Sequence, residues 1–156
     1  MFLQIRRMTE NEAWQCADLM ASTEPWITLQ RTREHTHHTV TNPHFETYVA
    51  VMSDENIAGV VSIAMEAPLI RGYIVALAVK QGHRNEGIGA ALLAHAEQRI
   101  LRDSPNIFLC VSSFNFAAQR FYERHGYQQV GVLKDLIIAG ASEHLLRKTS
   151  GPWNRF

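Results

Sequence analysis

Apolar and polar side chains alternate along "FLQIRRM" (2–8), the period-two pattern of a half-buried strand. Thr9 followed by Glu12 has the spacing of a capping box, which predicts a helix with Ala13, Cys16, Leu19 and Met20 on one face. Pro25 disfavours helix at Glu24, and a second helix is predicted over "LQRTREHTHHTV" (29–40). After Asn42-Pro43 the period returns to that of strands. "FETYVAVM" (45–52) and "IAGVVSIAM" (57–65) form a hairpin through "SDEN", and "GYIVALAVK" (72–80) is apolar enough to be central. From Ile88 the period is helical again, with Leu92, Ala96 and Ile100 on one face and Leu93 beside it. "NIFLCV" (106–111) reads as a strand covered on both faces. "FAAQRFYERHG" (116–126) reads as a helix closed by Gly126. "YQQVGVL" (127–133) and "EHLLRKT" (143–149) are late strands, and the tail from 149 to 156, "TSGPWNRF", is expected to be irregular. The order predicts one mixed α/β domain over residues 1–156, with any parallel pairing made across the helical crossovers.

Composition narrows the function classes. The chain has 156 residues, enough for one domain with a core. Its 15 basic and 15 acidic residues cancel, which argues against a broad nucleic-acid footprint or a basic membrane surface. No apolar run reaches the roughly 18 residues of a spanning helix. The start, "MFLQIRRMTENEAW", lacks the apolar stretch of a signal peptide, so a cytosolic protein is expected. Cys16 and Cys110 form no C-x-x-C pair; Cys110, in "IFLCV", reads as a small buried hydrophobe, with a nucleophilic role for either as the alternative.

The chemistry concentrates in "GHRNEGIGAALLAHAEQRI" (82–100), a glycine-punctuated loop opening an amphipathic helix. Such a helix mouth holds anions, because its first N–H groups are unpaired and glycine lets backbone approach a phosphate. Gly82 and Gly87 have P-loop spacing, but Ile88 and Gly89 stand where Lys and Ser/Thr are required. Gly87 and Gly89 begin a dinucleotide fingerprint, but Leu92 occupies its third glycine position. The stretch Arg84-Asn85-Glu86-Gly87-Ile88-Gly89 fits R/Q-x-x-G-x-G/A at every position. Here the chain resembles the GNAT superfamily of acyl-CoA-dependent N-acyltransferases. "CVSSFNFAAQRFYERHGYQQVG" (110–131) resembles that superfamily's later segment. The likeness is strongest from about Tyr73 to Gly131.

The resemblance implies a central twisted mixed sheet of about six to seven strands flanked by about four helices. It implies direct transfer of an acetyl group from acetyl-CoA to a primary amine of a small molecule or peptide, with no metal. Acetyl-CoA is then held by the loop Arg84, Asn85, Glu86, Gly87, Ile88, Gly89 and Ala90, by the main chain of Leu77 and Val79, and by Asn115. Tyr122 is implied as the acid for the leaving thiolate, and Val79 N–H is the candidate oxyanion donor. As local alternatives, Tyr122 is an aromatic packing residue and Asn115 a helix N-cap. The base is open among Glu66, at a strand end the resemblance places beside the acceptor, and Glu24, Asp135, Glu143, His144 or a chain of waters. Trp26 and Arg31 are candidates for the acceptor pocket, as an aromatic wall and a carboxylate anchor, or else a core cover and a solvated cation. His35, His37 and His38 lack clean i, i+4 ligand spacing, so no metal is assigned to them; His83 faces either a phosphate or solvent. Members of the superfamily are frequently dimers, and a tail carrying Trp153 and Phe156 suits an interface. A non-catalytic acyl-CoA-binding or sensing module, a nucleotide-binding protein and a plain interaction domain are the competing functions.

Overall fold

The computed structural model describes residues 2–66 and 70–156. Seven strands form one sheet: β1 (Leu3–Arg7), β2 (Phe45–Met52), β3 (Ile57–Ala64), β4 (Tyr73–Val79), β5 (Asn106–Ser112), β6 (Gln128–Lys134) and β7 (Ser142–Thr149). Four α-helices accompany them: α1 (Ala13–Ala21), α2 (Arg33–Val40), α3 (Ile88–Ile100) and α4 (Phe116–Arg124). The spatial order is β1-β2-β3-β4-β5-β7-β6. Neighbouring strands are antiparallel from β1 to β4, and again along β5, β7 and β6. The two halves meet only at β4–β5, where the pairing is parallel and spans α3.

Alternation sorts the strand side chains into two cores. Ala50, Val61, Ile63 and Ile74 meet the apolar stripe of α3, Ile88, Leu92, Leu93, Ala96 and Ile100. Val49, Val51, Val60, Ala76 and Ala78 meet α1 and Val40 on the other face. Ile74 and Ala76 would share a face in a regular strand, yet they lie in opposite cores. The cause is a bulge: Ser62 pairs with Ala76 and Ile63 with Ile74, leaving Val75 as the extra residue.

Gly72 sits at the junction of the halves. It has φ +83°, and a Cβ added there would lie 2.7 Å from Asn106 O. Gly72→Ala is therefore expected to cost about 2–4 kcal/mol of stability from left-handed strain plus overpacking, read as a lowered urea midpoint.

Local signals mostly hold. Thr9 N–H donates to the Glu12 carboxylate at 2.8 Å, although the first turn is a 3-10 turn over Glu10–Glu12 and α1 proper begins at Ala13. Gly126 takes φ +88° just after α4. The second helix starts at Arg33 and not at residue 29. Gln30 is left-handed, φ 54°, and Thr32 caps the new start by accepting from His35 N–H at 3.2 Å. The tail is not wholly irregular: Trp153–Arg155 form a 3-10 turn, with the Trp153 ring 5.7 Å from that of Phe156 and beneath Arg71.

Candidate active site

The two halves of the sheet separate immediately after they meet. Hydrogen bonding begins with Phe108 N–H to Gly72 O at 3.0 Å, and the register ends at Ile74–Leu109. Beyond it, Cys110, Val111 and Ser112 pair with β7, and β4 runs on from the Val75 bulge with one edge unpaired. Lys80 N–H donates to Ala58 O at 2.8 Å, toward β3. Successive amides of a strand point to opposite edges, so the Leu77 and Val79 main chains face the open side. Their side chains pack against the α3 core. A cleft of about 780 Å³ fills the gap.

One end of the cleft is the glycine loop. Gly82, Asn85 and Gly87 are all left-handed, with φ 90°, 63° and 79°. These values curl the loop so that the chain enters α3 from Gly87. The first intrahelical bond is Ala91 N–H to Gly87 O at 3.0 Å, which leaves the amides of Ile88, Gly89 and Ala90 ahead of it without an i−4 carbonyl inside the helix. Ile88 itself is buried, so only its backbone belongs to the cleft. Arg84 and Asn85 line the cleft; Glu86 does not, and its carboxylate meets His83 Nδ1 at 3.0 Å.

Helix α4 forms the opposite wall. Asn115 lines the cleft and also caps α4, its Oδ1 accepting from Ala118 N–H at 3.3 Å, so the cap and the lining position coexist. Tyr122 is 8% exposed, and its ring lies edge-on to Phe121 and Tyr127, at 5.1 and 5.6 Å. Its hydroxyl bonds to no described residue, and burial raises its pKa above the usual 10. Arg120 and Arg124, one turn apart on α4, line the same cleft and make no ion pair with a described residue. Neither was expected from the sequence; the available signal was their i, i+4 spacing beside Tyr122.

The far end collects residues from separate elements. Trp26 and Arg31 line it, and Trp26 also packs against the α1 core. Glu24 is exposed and engaged by Thr28, through Oγ1 at 2.7 Å and N–H at 3.2 Å. Glu66 is exposed and is not among the lining residues, and Asp135 accepts from Gly140 N–H at 2.8 Å outside the cleft. Glu143 lines the cleft, whereas His144 borders a smaller hollow with Gln119 and Glu123 on the opposite side of β7. Tyr73 and Ser112 also line the cleft, two contributors that sequence patterns did not single out. Burial pushes the Cys16 thiol up to about 12 and raises Cys110, which keeps both as thiols at neutral pH. His37 stacks on Trp14 at 3.8 Å. Among the described residues no helix is long and apolar enough to cross a membrane.

Residues 8–127 match the model of the acetyltransferase (GNAT) family. The streptothricin acetyltransferase of Streptomyces lavendulae is 34% identical over 98 residues, 62% of this chain and 52% of that protein, so the match spans about half of the relative. A GNAT-family chain of known structure from Desulfovibrio desulfuricans superposes with TM-score 0.80 at 22% identity, covering 96% of this chain and 100% of its own. An aminoglycoside 6'-N-acetyltransferase complexed with coenzyme A superposes with TM-score 0.76 at 20% identity, covering 96% and 98%. At these identities the structural likeness is a likeness of fold.

Proposed function

The chain belongs to the GNAT family of acetyltransferases, and from that premise we propose that it moves an acetyl group from acetyl-CoA to the primary amine of a small molecule by direct attack. The observation that carries this reading is the single cleft that joins an unpaired β4 edge, a left-handed glycine loop at a helix N-terminus and a buried tyrosine with an unbonded hydroxyl. Those features fit the donor part by part. Free amides at Ile88, Gly89 and Ala90 suit a pyrophosphate, with Arg84 adding charge. The Leu77 and Val79 main chains suit the amides of pantetheine, bound as an added strand. Val79 N–H is the proposed oxyanion donor and Tyr122 the proposed acid for the thiolate.

The acceptor end is built from side chains. Trp26 offers a flat apolar wall and Arg31 a cation for an anionic group on the acceptor. Similarity to a streptothricin acetyltransferase favours a small molecule over a peptide.

Calorimetric titration tests the donor. Micromolar binding of acetyl-CoA with none of ATP or NAD is expected; no binding of acetyl-CoA would end this reading. Free-thiol release with streptothricin and other primary amines then separates an enzyme from a binding module. Arg84→Ala is expected to weaken acetyl-CoA about tenfold, the loss of one charge-assisted bond, and to flatten the salt dependence of the dissociation constant. Unchanged affinity and salt dependence would remove Arg84 from the site.

A further inference from the structure

Glu143 is a carboxylate only 5% exposed, with no ion pair to a described residue and the Ser112 hydroxyl as its hydrogen-bonding neighbour. Glutamate is rarely buried so deeply without a cation, because an unpaired charge loses its hydration and gains nothing in return. Opposite it in register stands Ser112, fully buried, whose Oγ has no partner other than that carboxylate. Leu146, an odd number of residues along β7, packs in the α3 core, so alternation turns Glu143 to the other sheet face, the side from which Trp26 lines the cleft. Ser112 and Glu143 both line the cleft and neither meets a cation, so the buried carboxylate is left for a cation that enters there.

The groups around Glu143 identify its chemistry. Tyr73 approaches from β4, Cys110 and Ser112 from β5, and His144 follows it on β7, facing away. No lysine or arginine stands among them. Of the other candidate bases, Glu24 also lines the cleft but is exposed and bonded to Thr28, Asp135 is held by Gly140, His144 lies on the opposite face, and Glu66 is outside the lining.

We propose that Glu143 receives the acceptor as a primary ammonium and is the base that takes its proton, with Ser112 Oγ holding the carboxylate in position. This rests on the acetyltransferase reading of the cleft. Glu143 accepts one proton from R–NH₃⁺. The neutral amine attacks the thioester carbonyl, and a C–N bond forms. The second amine proton leaves as the C–S bond breaks, and the thiolate is protonated. The sum is amide, free thiol and one proton, which Glu143 passes to solvent. Burial raises the Glu143 carboxyl above its ordinary range. That narrows its gap to an ammonium near 10 and so eases the transfer.

Glu143→Gln is expected to lower kcat/KM for the amine by about 10²-fold or more. It should also abolish the acidic limb of the pH profile and leave acetyl-CoA affinity unchanged. Because the folded-state pKa is raised, ionisation destabilises the fold as pH rises through it. The variant should therefore melt higher than wild type at pH 8, with the gain fading on acidification. A purely structural glutamate would lose stability instead. A second measurement needs no turnover: the carboxyl carbon of Glu143, assigned by its absence in Glu143→Gln, is followed by NMR during titration with ethylamine hydrochloride in the presence of CoA. A shift in the signal and a lowered apparent pKa are expected. No response to ethylammonium, or a variant that keeps the wild-type acidic limb, would overturn the proposal. If wild type binds acetyl-CoA but acetylates neither streptothricin nor ethylamine, the enzyme reading and the base role fail together. The NMR response then still decides whether Glu143 receives an ammonium.

Discussion

Gly87→Glu is expected to abolish measurable acetyl-CoA binding, a loss of at least about 100-fold, or about 2.7 kcal/mol. Gly87 has φ +79°, and a Cβ built there meets nothing within 4 Å. A side chain at this position therefore projects into the open space before the N-terminus of α3. That space is where the unpaired amides of Ile88, Gly89 and Ala90 attract negative charge. A glutamate carboxylate would be an anion tethered to the anion site, present at far higher local concentration than any ligand, and it would repel a pyrophosphate. Left-handed strain adds roughly 1–2 kcal/mol to folding and not to binding. Gly87→Ala carries the same strain without the charge, so it separates the two effects. It should lower the melting temperature similarly and weaken binding far less. Calorimetry on both variants decides. A folded Gly87→Glu protein with wild-type affinity would show that the loop does not hold the donor.

That the proposed donor end carries a sequence signature and the proposed acceptor end carries none has a physical cause. The proposed donor end is made of backbone: a strand edge, a turn and a helix mouth. Such a site depends on glycines at fixed offsets, and Gly87 and Gly89 stand in a contiguous stretch where spacing is visible. Helices and strands were legible because their periods report which face is buried, as with Ile88, Leu92, Ala96 and Ile100. The Val75 bulge left no such trace. "YIVALAV" is apolar at every position, so a one-residue slip changes no pattern, yet it coincides with the parting of β4 from β5. The left-handed turn at Gln30 is equally silent, since glutamine gives no turn signal, and the pattern puts the start of the second helix too early.

The proposed acceptor end depends on topology. Ser112 and Glu143 are adjacent only because β7 is inserted between β5 and β6. No local window contains both, and Glu143 alone reads as a polar residue at a strand start. Glu66 was placed beside the acceptor by resemblance, but the structure leaves it exposed and off the lining. The same dependence on topology explains why Arg120 and Arg124 were passed over. On a helix with exposed Phe116 they resemble ordinary solvated charges until the loop before α3 is seen across from them.

Tyr122→Phe is expected to lower kcat about 10²-fold with acetyl-CoA affinity within about twofold, the size of effect of a lost general acid. The hydroxyl is the only group removed. The ring keeps its edge contacts with Phe121 and Tyr127. Because the hydroxyl bonds to no described residue, its loss strands no partner, and the melting temperature should hold or rise slightly. A packing role would give the opposite pair of results, some loss of stability and none of rate. Burial sets the pH signature. It raises the phenol above 10, so Tyr122 keeps its proton throughout the range in which the protein is folded and active. The acid form is then never depleted, and Tyr122 contributes no alkaline limb to the rate profile. A phenol this weak gives its proton uphill to a thiolate, whose conjugate thiol lies near 8.5. It donates only as negative charge builds on sulfur during C–S cleavage, which confines its effect to kcat. The variant should therefore be slower by one factor at every pH, with the profile's shape unchanged. A rate loss confined to high pH would mean that the phenolate, and not the phenol, is the working form; wild-type rates across pH would leave Tyr122 a wall of the cleft and nothing more.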